Sequence, residues 1–463
     1  MKTTIVWFKT DLRVHDNVVL NAAIDNGDLV VPVYCIDDAH FGNTEYGFKK
    51  TGAFRAKFLL ESLQDLDAQL RALGSGLIVV RGKPSTEVVK VARAYGAANV
   101  FTSDEIAPEE LATIHAVREK LAEHHCTLTV FGNSSLYEVT DLPFAVQTVP
   151  DMFTAYRKKT EAYSSVRPFV PTPESIPSPS ISDLQIPSLQ SLGLEDHEQD
   201  ERAAIQFRGG ETAALARVRH YLWESKCVLT YKETRNGLVG ADYSTKFSAW
   251  LSMGCLSARY VYSELKIFEQ EHGANDSTYW VVFELMWRDY FRLMMMKYGS
   301  RFFLKRGISG KNPTGVRFDA KLLQRWIDGQ TGEEFVDANM RELKATGFMS
   351  NRGRQNVASY LCNDLKLDWR YGAAYFEQQL TDYDACSNWC NWAYVAGVGN
   401  DPRPNRYFNI QKQSEQYDGD RRFRKLWSTV TDARLILPIS LGFVRHNGIL
   451  FARSGARAAY RRK

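Results

Sequence analysis

The stretch from 382 to 409 concentrates side chains that could bind a ligand that is both aromatic and polar. It reads DYDACSNWCNWAYVAGVGNDPRPNRYFN, and its carboxylates, amide and large rings are Asp382, Asp384, Asn388, Trp389, Trp392, Tyr394 and Tyr407. Tryptophan and tyrosine combine a flat apolar face with one polar atom, which suits a pocket wall better than a dry core. An aromatic-rich junction between helices is the alternative interpretation.

Residues 279 to 299, YWVVFELMWRDYFRLMMMKYG, predict a helix with an unusual set of side chains on one face. Glu284, Trp287 and Arg288 recur at three- and four-residue spacing, so they lie side by side on a helix. An acid, an indole and a guanidinium together are typical neither of a core nor of a solvated face. An amphipathic helix with one arginine reaching solvent is the alternative.

The sequence DYSTKFS (242 to 248) places the hydroxyls of Ser244, Thr245 and Ser248 ahead of a predicted helix. Free backbone N–H groups and the positive end of the helix dipole attract phosphate at such a position. A plain Ser or Thr helix cap is the commoner use of these residues. The motif therefore permits a phosphate site without establishing one.

Three long runs resemble the flavin-binding half of the photolyase and cryptochrome family. They are ELMWRDYFR (284 to 292), GFMSNRGRQNVASYL (347 to 361) and DYDACSNWCNWAYVAGVGNDPR (382 to 403). The resemblance is greatest to DASH-type cryptochromes, and it extends from VWFKTDLRVHDN near the amino end to about Trp427. Several long motifs in the family's order make this a specific signal.

The resemblance implies FAD as cofactor and assigns residues to it. It places Tyr231 and the run Ser244, Thr245, Lys246, Phe247 and Ser248 around the diphosphate. It places Asn388 opposite flavin N5, and Asp382 and Asp384 against the flavin ring and ribose. Arg354 is expected to pair with Asp382, although such a pair also has a plain structural use.

The reaction implied is blue-light-driven electron transfer from reduced FAD to a cyclobutane pyrimidine dimer in DNA. By the family pattern Glu284 hydrogen-bonds the dimer, Trp287 stacks on it, and Asn351 lies near both flavin and lesion. Tyr394 stands where photolyases of duplex DNA have a second tryptophan, which predicts repair mainly in single strands. A blue-light sensor acting through a partner or through DNA is the alternative, and a DNA-binding protein with a vestigial flavin is a third reading.

Two further expectations concern the tryptophan relay that reduces the flavin and the antenna chromophore that absorbs light. Trp392 and Trp369 match the first two tryptophans of the family's photoreduction relay, but the third position is Val316. Trp326 or a tyrosine is left as a substitute. The antenna implied is 5,10-methenyltetrahydrofolate with Glu105 as its contact, and an acid favoured by a nearby helix dipole is the plain alternative for Glu105.

The elements that must position these residues divide the chain. Short β-branched runs alternate with helical patterns over 1–133, which predicts a doubly wound, parallel five-stranded α/β domain. No GxGxxG follows the first strand, so an ordinary dinucleotide site is not expected there. Residues 134–205 are predicted to be a surface linker with one helix near 151–163, residues 206–427 an all-helical FAD-binding domain, and residues 428–463 a divergent basic tail.

Length and composition limit the possible domain number, compartment and metal content. A chain of 463 residues is long for one core, which favours two domains. The absence of an 18-residue apolar run and of a signal peptide predicts a cytoplasmic protein with no membrane partner. The seven cysteines show neither CxxC pairs nor zinc spacing, so we expect no metal. We also expect a monomer.

Net charge adds little about the partner. Residues 206 to 463 carry 39 basic and 26 acidic residues, which fits a polyanion such as nucleic acid. However, 11 of those basic residues, against one acid, lie between 421 and 463. Bulk charge is therefore weak evidence for a nucleic-acid groove.

Overall fold

The computed structural model describes residues 2–26, 29–196, 198–313, 315–400, 406–428, 444–446 and 449–451. The amino-terminal part is a parallel sheet of β1 (Thr3–Phe8), β2 (Leu29–Ile36), β3 (Ile78–Arg81), β4 (Asn99–Ser103) and β5 (Thr127–Phe131), in the order β3-β2-β1-β4-β5. The central strand β1 is buried along almost its whole length, as expected for a strand with helices on both faces. The predicted α/β fold is confirmed.

The helices around this sheet are α1 (Val18–Asp25), α2 (Ala53–Ala72), α3 (Pro84–Ala94) and α4 (Pro108–Ala122). The last three match the helical patterns of the sequence. Helix α1 was not predicted, because its eight residues are too short for a clear apolar period. Its cap was visible in the sequence, since the side chain of Asn17 accepts a hydrogen bond from the backbone N–H of Leu20.

The sheet has its topological switch between β1 and β4, whose connections leave in opposite directions. Ligands of doubly wound sheets bind in the crevice at this place. The chain after β1 and the chain after β4 meet here, because the hydroxyl of Thr10 donates to Glu105 Oε1 at 3.1 Å. The switch point thus brings Glu105 to the expected ligand-binding edge of the sheet.

The segment from 134 to 205 is more than a surface connection. It contains α5 (Phe153–Tyr163), as predicted, and much irregular chain. Tyr156 is completely buried, and Ile176 and Leu192 join the hydrophobic core. The backbone N–H of Ile176 also donates to the carbonyl of Leu73. This packing could not be predicted from the sequence, because polar and proline residues surround each apolar one.

The remainder of the described chain is mostly helical, as predicted. Its helices are α6 (Glu211–Arg219), α7 (Tyr231–Thr234), α8 (Ser248–Ser252), α9 (Ala258–His272), α10 (Asp276–Tyr298), α11 (Ala320–Ile327), α12 (Glu334–Thr346), α13 (Asn351–Ser359), α14 (Trp369–Gln379), α15 (Ala385–Val395), α16 (Ile410–Tyr417) and α17 (Arg422–Leu426). Helix α15 packs against both α10 and α13, so the three motif-bearing segments meet. No described helix is long and apolar enough to cross a membrane.

The basic tail lies almost wholly outside the described residues. Within it, β6 (Val444–His446) and β7 (Ile449–Phe451) form an antiparallel pair.

Buried charges join the sheet domain to the helices. Arg259 lies 2.8 Å from a carboxylate oxygen of Asp16, and neither side chain is more than 7% exposed. His15 Nδ1 lies 2.8 Å from Glu211 Oε1. The Arg259–Asp16 ion pair is costly to break, because the remaining charge would be left buried without its partner. Both contacts fix the two parts of the chain against each other.

Candidate functional site

A cavity of about 560 Å³ lies among α10, α13, α15 and the segment from α7 to α8. Its volume is that of a pocket for a cofactor-sized ligand. Fourteen of the residues assigned from the sequence line it together: Tyr231, Ser244, Thr245, Lys246, Phe247, Ser248, Glu284, Trp287, Asn351, Arg354, Asp382, Asp384, Asn388 and Tyr394. Trp392 lines it as well, whereas Trp369 and Glu105 do not.

The turn before α8 is held from behind by Arg217. Its guanidinium donates to the carbonyls of Thr245 at 2.9 Å and Ser244 at 3.0 Å, and it pairs with Asp242 at 2.7 Å. These carbonyls therefore face Arg217 rather than the cavity. The arrangement leaves hydroxyls and backbone N–H groups to face an anion, as a phosphate site requires.

Lys246 occupies this turn in a strained conformation. Its φ is 61°, in the left-handed region that residues other than glycine rarely adopt. Its ammonium nitrogen is buried without a hydrogen-bond partner among the described residues and lies over the ring of Tyr243. Burial lowers the pKa of Lys246 well below its usual range, and Glu342 opposes this. A buried, unsatisfied cationic group beside the cavity fits an anionic ligand.

Two aspartates anchor the opposite wall. Arg354 Nη2 lies 2.9 and 2.7 Å from the two carboxylate oxygens of Asp382, so the predicted pair exists. Arg354 also donates to the carbonyl of Met349. Asp384 caps α15 by accepting from the backbone N–H of Ser387 at 2.6 Å. Both carboxylates are therefore fixed in orientation before any ligand arrives.

Asn388 presents an acceptor to the cavity. Its Nδ2 donates to the carbonyl of Ala373 at 3.0 Å, so its side-chain oxygen is the group left for a ligand. The side chain is almost completely buried. An uncharged acceptor in such a position suits an N–H donor.

Glu284 faces the cavity from α10 in partnership with Arg235. Arg235 Nη1 lies 2.6 Å from Glu284 Oε1. Burial raises the pKa of Glu284, and the positive charge of Arg235 counteracts the rise. The ion pair holds the carboxyl in one orientation on the cavity wall, where it can bind a polar ligand edge.

Aromatic rings form the mouth of the cavity. Trp287 meets Tyr394 edge to face, with centroids 6.3 Å apart. Arg406 donates to the hydroxyl of Tyr394 at 2.6 Å, and its guanidinium lies 4.3 Å from the centre of that ring. Two flat walls at a right angle, with a cation at the edge, suit a planar ligand attached to an anionic chain.

The tryptophans of the expected relay are both buried. Trp392 packs edge to face against Trp326 at 6.2 Å, and Trp369 packs in the same way against Trp389 at 5.8 Å. Val316 is half-buried, and it precedes the backbone bond from Arg317 to Lys366. An aliphatic side chain therefore stands beside the segment that leads into Trp369.

Glu105 lies away from this cavity, at the switch point of the sheet. Burial raises its pKa, while Lys9 and Arg292 lower it. Arg292 comes from α10, so both domains contribute to its surroundings. The location, at the carboxyl ends of the strands and beside α10, fits a separate ligand between the domains.

Among the side chains not assigned from the sequence, Arg235 and Arg406 line the cavity. Arg217 and Phe153 do not line it, but they contact its lining residues Thr245 and Trp287. Arg217 lies within a plain helical pattern, and Phe153 lies within the presumed linker. Arg235 is close to the phosphate motif, in YKETRNG, so a polar loop next to a motif was the available signal. Arg217 and Phe153 carried no comparable signal, because only the tertiary fold brings them to the site.

Comparisons with known proteins agree with this geometry. The chain matches the family model for DNA photolyase over residues 4–178 and the model for the FAD binding domain of DNA photolyase over residues 280–432. It is 47% identical to the Cryptochrome DASH of Gloeobacter violaceus over 92% of this chain and 85% of that protein. It is also 47% identical to the Cryptochrome DASH of Danio rerio, over 92% and 83% of the two chains.

Solved structures are similar over the same extent. The cryptochrome of Synechocystis sp. PCC6803 superposes with a TM-score of 0.89 at 45% identity, covering 92% of this chain and 88% of that one. A class III photolyase from Agrobacterium tumefaciens gives a TM-score of 0.80 at 27% identity, covering 92% and 86%.

Proposed function

The chain belongs to the photolyase and cryptochrome family, with DASH cryptochromes as its relatives, and from that premise we propose that it repairs pyrimidine dimers. The proposed reaction is blue-light-driven electron transfer from reduced FAD to a cyclobutane pyrimidine dimer, mainly in single-stranded DNA. The observation that carries the proposal is that Glu284, Trp287 and Tyr394 share one cavity with Asn388 and Asp384. A flavin site and a lesion site would then be in direct contact.

The cavity residues fit FAD. The turn held by Arg217 would receive the diphosphate, and the unpartnered ammonium of Lys246 lies beside it. Asp384 and the Asp382–Arg354 pair would fix the ribose and the flavin ring. When bound, FAD supplies a light-absorbing ring that gives up one electron and takes it back.

Asn388 would tune the flavin. The N5 atom of a reduced flavin carries a hydrogen, so it can donate a hydrogen bond to the side-chain oxygen of Asn388. Because an amide brings no charge, it would not repel the added electrons. The bond to Ala373 keeps this oxygen in place, so no reorientation is needed when light arrives.

Glu284 and the two rings would hold the dimer. The carboxyl, fixed by Arg235, would hydrogen-bond the polar edge of the pyrimidines. Trp287 would stack on the dimer, with Tyr394 as the second wall. These residues therefore bind and orient the lesion, and no general base is required.

The preference for single strands follows from the size of Tyr394. Turning a dimer out of a duplex costs a few kcal/mol, and base-aromatic stacking returns about 1–3 kcal/mol per base. A tyrosine wall offers less stacking area than an indole. The cost of flipping is then not fully recovered, whereas a single strand incurs no such cost.

Reactivation of oxidised flavin would begin at Trp392, which lines the cavity. We propose Trp369 as a second donor, with 5,10-methenyltetrahydrofolate as antenna near Glu105. The protein would act as a monomer in the cytoplasm.

A second candidate function is blue-light sensing through a partner. Val316 favours it, because it interrupts the expected relay and so changes how light reduces the flavin. One experiment separates the two functions. Photoreduced protein is mixed with a single-stranded oligonucleotide that contains one dimer, and dimer loss is followed under blue light and in darkness. Repair predicts loss in light alone, whereas a sensor predicts none in either condition.

A further inference from the structure

Phe153 lies face to face with Trp287. The ring centroids are 3.8 Å apart and the planes differ by 10°. The other rings around Trp287 meet it at an angle: Tyr290 at 84°, Tyr394 at 80° and Phe291 at 37°. Phe153 is the first residue of α5 in the interdomain segment, a part of the chain with no role so far in the site.

Contacts at both ends hold this segment on α10. Asp151, two residues before Phe153, accepts hydrogen bonds from Lys297 at 2.7 Å and Tyr298 at 2.6 Å. Four residues after Phe153, Arg157 donates to the hydroxyl of Tyr279 at 2.6 Å. All three partners belong to α10, the helix that carries Trp287.

Packing leaves Phe153 little freedom. Its side chain is buried, with only 7% exposure. Phe283 and Tyr290, both of α10, meet its ring edge to face at 5.1 and 5.6 Å. The ring therefore presents a fixed flat surface to the indole of Trp287.

We propose that Phe153 is a positioning residue that holds the indole of Trp287 for substrate stacking. The inference deepens the proposed function and rests on it. Phe153 covers one face of the indole but does not line the cavity, whereas Trp287 does. A pyrimidine bound in the cavity would therefore stack on the other face and complete a stack of three rings. A rotamer fixed beforehand spares the ordering cost that binding would otherwise include.

The interdomain segment thereby becomes part of the substrate site. A change in how residues 151–157 lie on α10 would reach the lesion through Trp287, without contact with the flavin. We therefore expect substitutions here to alter affinity for damaged DNA while flavin retention is unchanged.

The test compares Phe153→Leu, which keeps apolar bulk but lacks a flat face, with Phe153→Tyr, which keeps the ring. Phe144→Leu is the matched control, because Phe144 belongs to the same segment and contacts Tyr156 rather than Trp287. FAD-loaded proteins are titrated in darkness with single-stranded oligonucleotides with and without one dimer. Phe153→Leu should raise the Kd for the damaged strand by about 3- to 10-fold. Phe153→Tyr and Phe144→Leu should stay within about twofold of the parent.

A second readout does not depend on DNA. In protein labelled with 5-fluorotryptophan, the ¹⁹F resonance of Trp287 is assigned by its loss in Trp287→Phe. Phe153→Leu should shift and broaden this line, because the ring current disappears and the indole gains rotamers, whereas Phe144→Leu should leave it unchanged.

The outcomes separate the two proposals. An unchanged Trp287 line in Phe153→Leu overturns the positioning role. A changed Trp287 line with an unchanged Kd for the damaged strand would show that the orientation set by Phe153 does not affect substrate binding. If the parent does not prefer damaged to undamaged DNA, the proposed function fails, and the fluorine result alone then decides whether Phe153 orients the indole.

Discussion

Asn388 donates from its amide nitrogen to the carbonyl of Ala373 at 3.0 Å, which leaves its oxygen as the free group toward the cavity. A carboxylate at this position could not make that donation, and it would add a charge next to the flavin. The role proposed for Asn388 depends on both properties, polarity without charge and a fixed orientation.

Asn388→Asp should lower the reduction potential of bound FAD. A negative charge a few ångströms away disfavours added electrons, by an amount on the order of 100 mV at an intermediate effective dielectric. Spectroelectrochemical titration of the FAD-loaded protein gives the potential. Asn21→Asp is the control, since the amide of Asn21 likewise donates to a backbone carbonyl of its own segment, that of Asn17, and Asn21 does not line the cavity. Equal potentials in parent and Asn388→Asp would contradict the assignment.

Asp384→Asn should reduce FAD retention. Asparagine preserves the helix cap, so the substitution removes charge rather than the start of α15. Loss of a charged hydrogen bond of about 1.5–3 kcal/mol weakens binding by roughly tenfold or more. The ratio of FAD to protein after gel filtration measures this. Asp368→Asn is matched, because Asp368 caps α14 outside the cavity. Full retention of FAD in Asp384→Asn would show that the charge of Asp384 does not contribute to flavin binding.

Glu284→Gln should slow dimer repair by about 10- to 100-fold and leave FAD content unchanged. Glutamine carries no charge and cannot form the ion pair with Arg235, so the carboxylate that would bind the dimer is lost. Dimer loss per unit of absorbed blue light is the measurement. Glu264→Gln serves as the control. Glu264 lies on α9, away from the cavity, and accepts a hydrogen bond from the indole of Trp223. Equal repair by Glu284→Gln and the parent would refute a lesion contact.

Tyr394→Trp should raise duplex repair relative to single-strand repair by about tenfold, since a larger wall returns more stacking energy. Tyr394→Phe removes only the hydroxyl that accepts from Arg406 and keeps the ring, so it should leave the ratio of duplex to single-strand repair unchanged. Both ratios come from matched oligonucleotides with one dimer. A ratio that does not respond to Tyr394→Trp would show that wall size is not the determinant.

Glu110→Gln should stabilise the protein more as the pH rises. Burial, followed by the negative charge of Glu105, raises the pKa of Glu110 to about 7. The folded protein therefore holds a proton that the unfolded chain releases, and stability declines as pH increases from about 4.5 to about 7. Glutamine removes this decline.

Urea unfolding of the FAD-loaded protein at about pH 5 and about pH 8 checks the sign of this effect. The advantage of Glu110→Gln over the parent should be larger at the higher pH. Glu119→Gln, on the exposed side of the same helix, should show no such trend. An advantage that shrinks as pH rises would contradict the prediction.

Much of this fold could be predicted from sequence periods. The strands β1 and β4 were predicted from β-branched runs and the helix α2 from a helical pattern, both of which depend on local sequence alone. Helix α1 was missed because Val18–Asp25 is short. The burial of Tyr156 and Ile176 was missed because it depends on how a polar segment crosses the surface of both domains.

The site residues likewise include some that could be predicted from local sequence and some that could not. Glu284, Asn388 and Asp384 belong to contiguous motifs, so the resemblance was enough to assign them to one site, and they do line one cavity. Arg217 and Phe153 come from distant segments, and their roles depend on tertiary contacts to Thr245 and Trp287. No local pattern could have indicated either one.

The central claim is that the flavin and the lesion exchange one electron and that the electron returns. It is tested most directly by counting dimers split per flavin. Photoreduced protein is illuminated without oxygen or added reductant, with a large excess of single-stranded oligonucleotide containing one dimer. If the electron returns, many dimers are split per flavin while the absorption of reduced FAD persists. At most one dimer lost per flavin, with matching flavin oxidation, would contradict this claim.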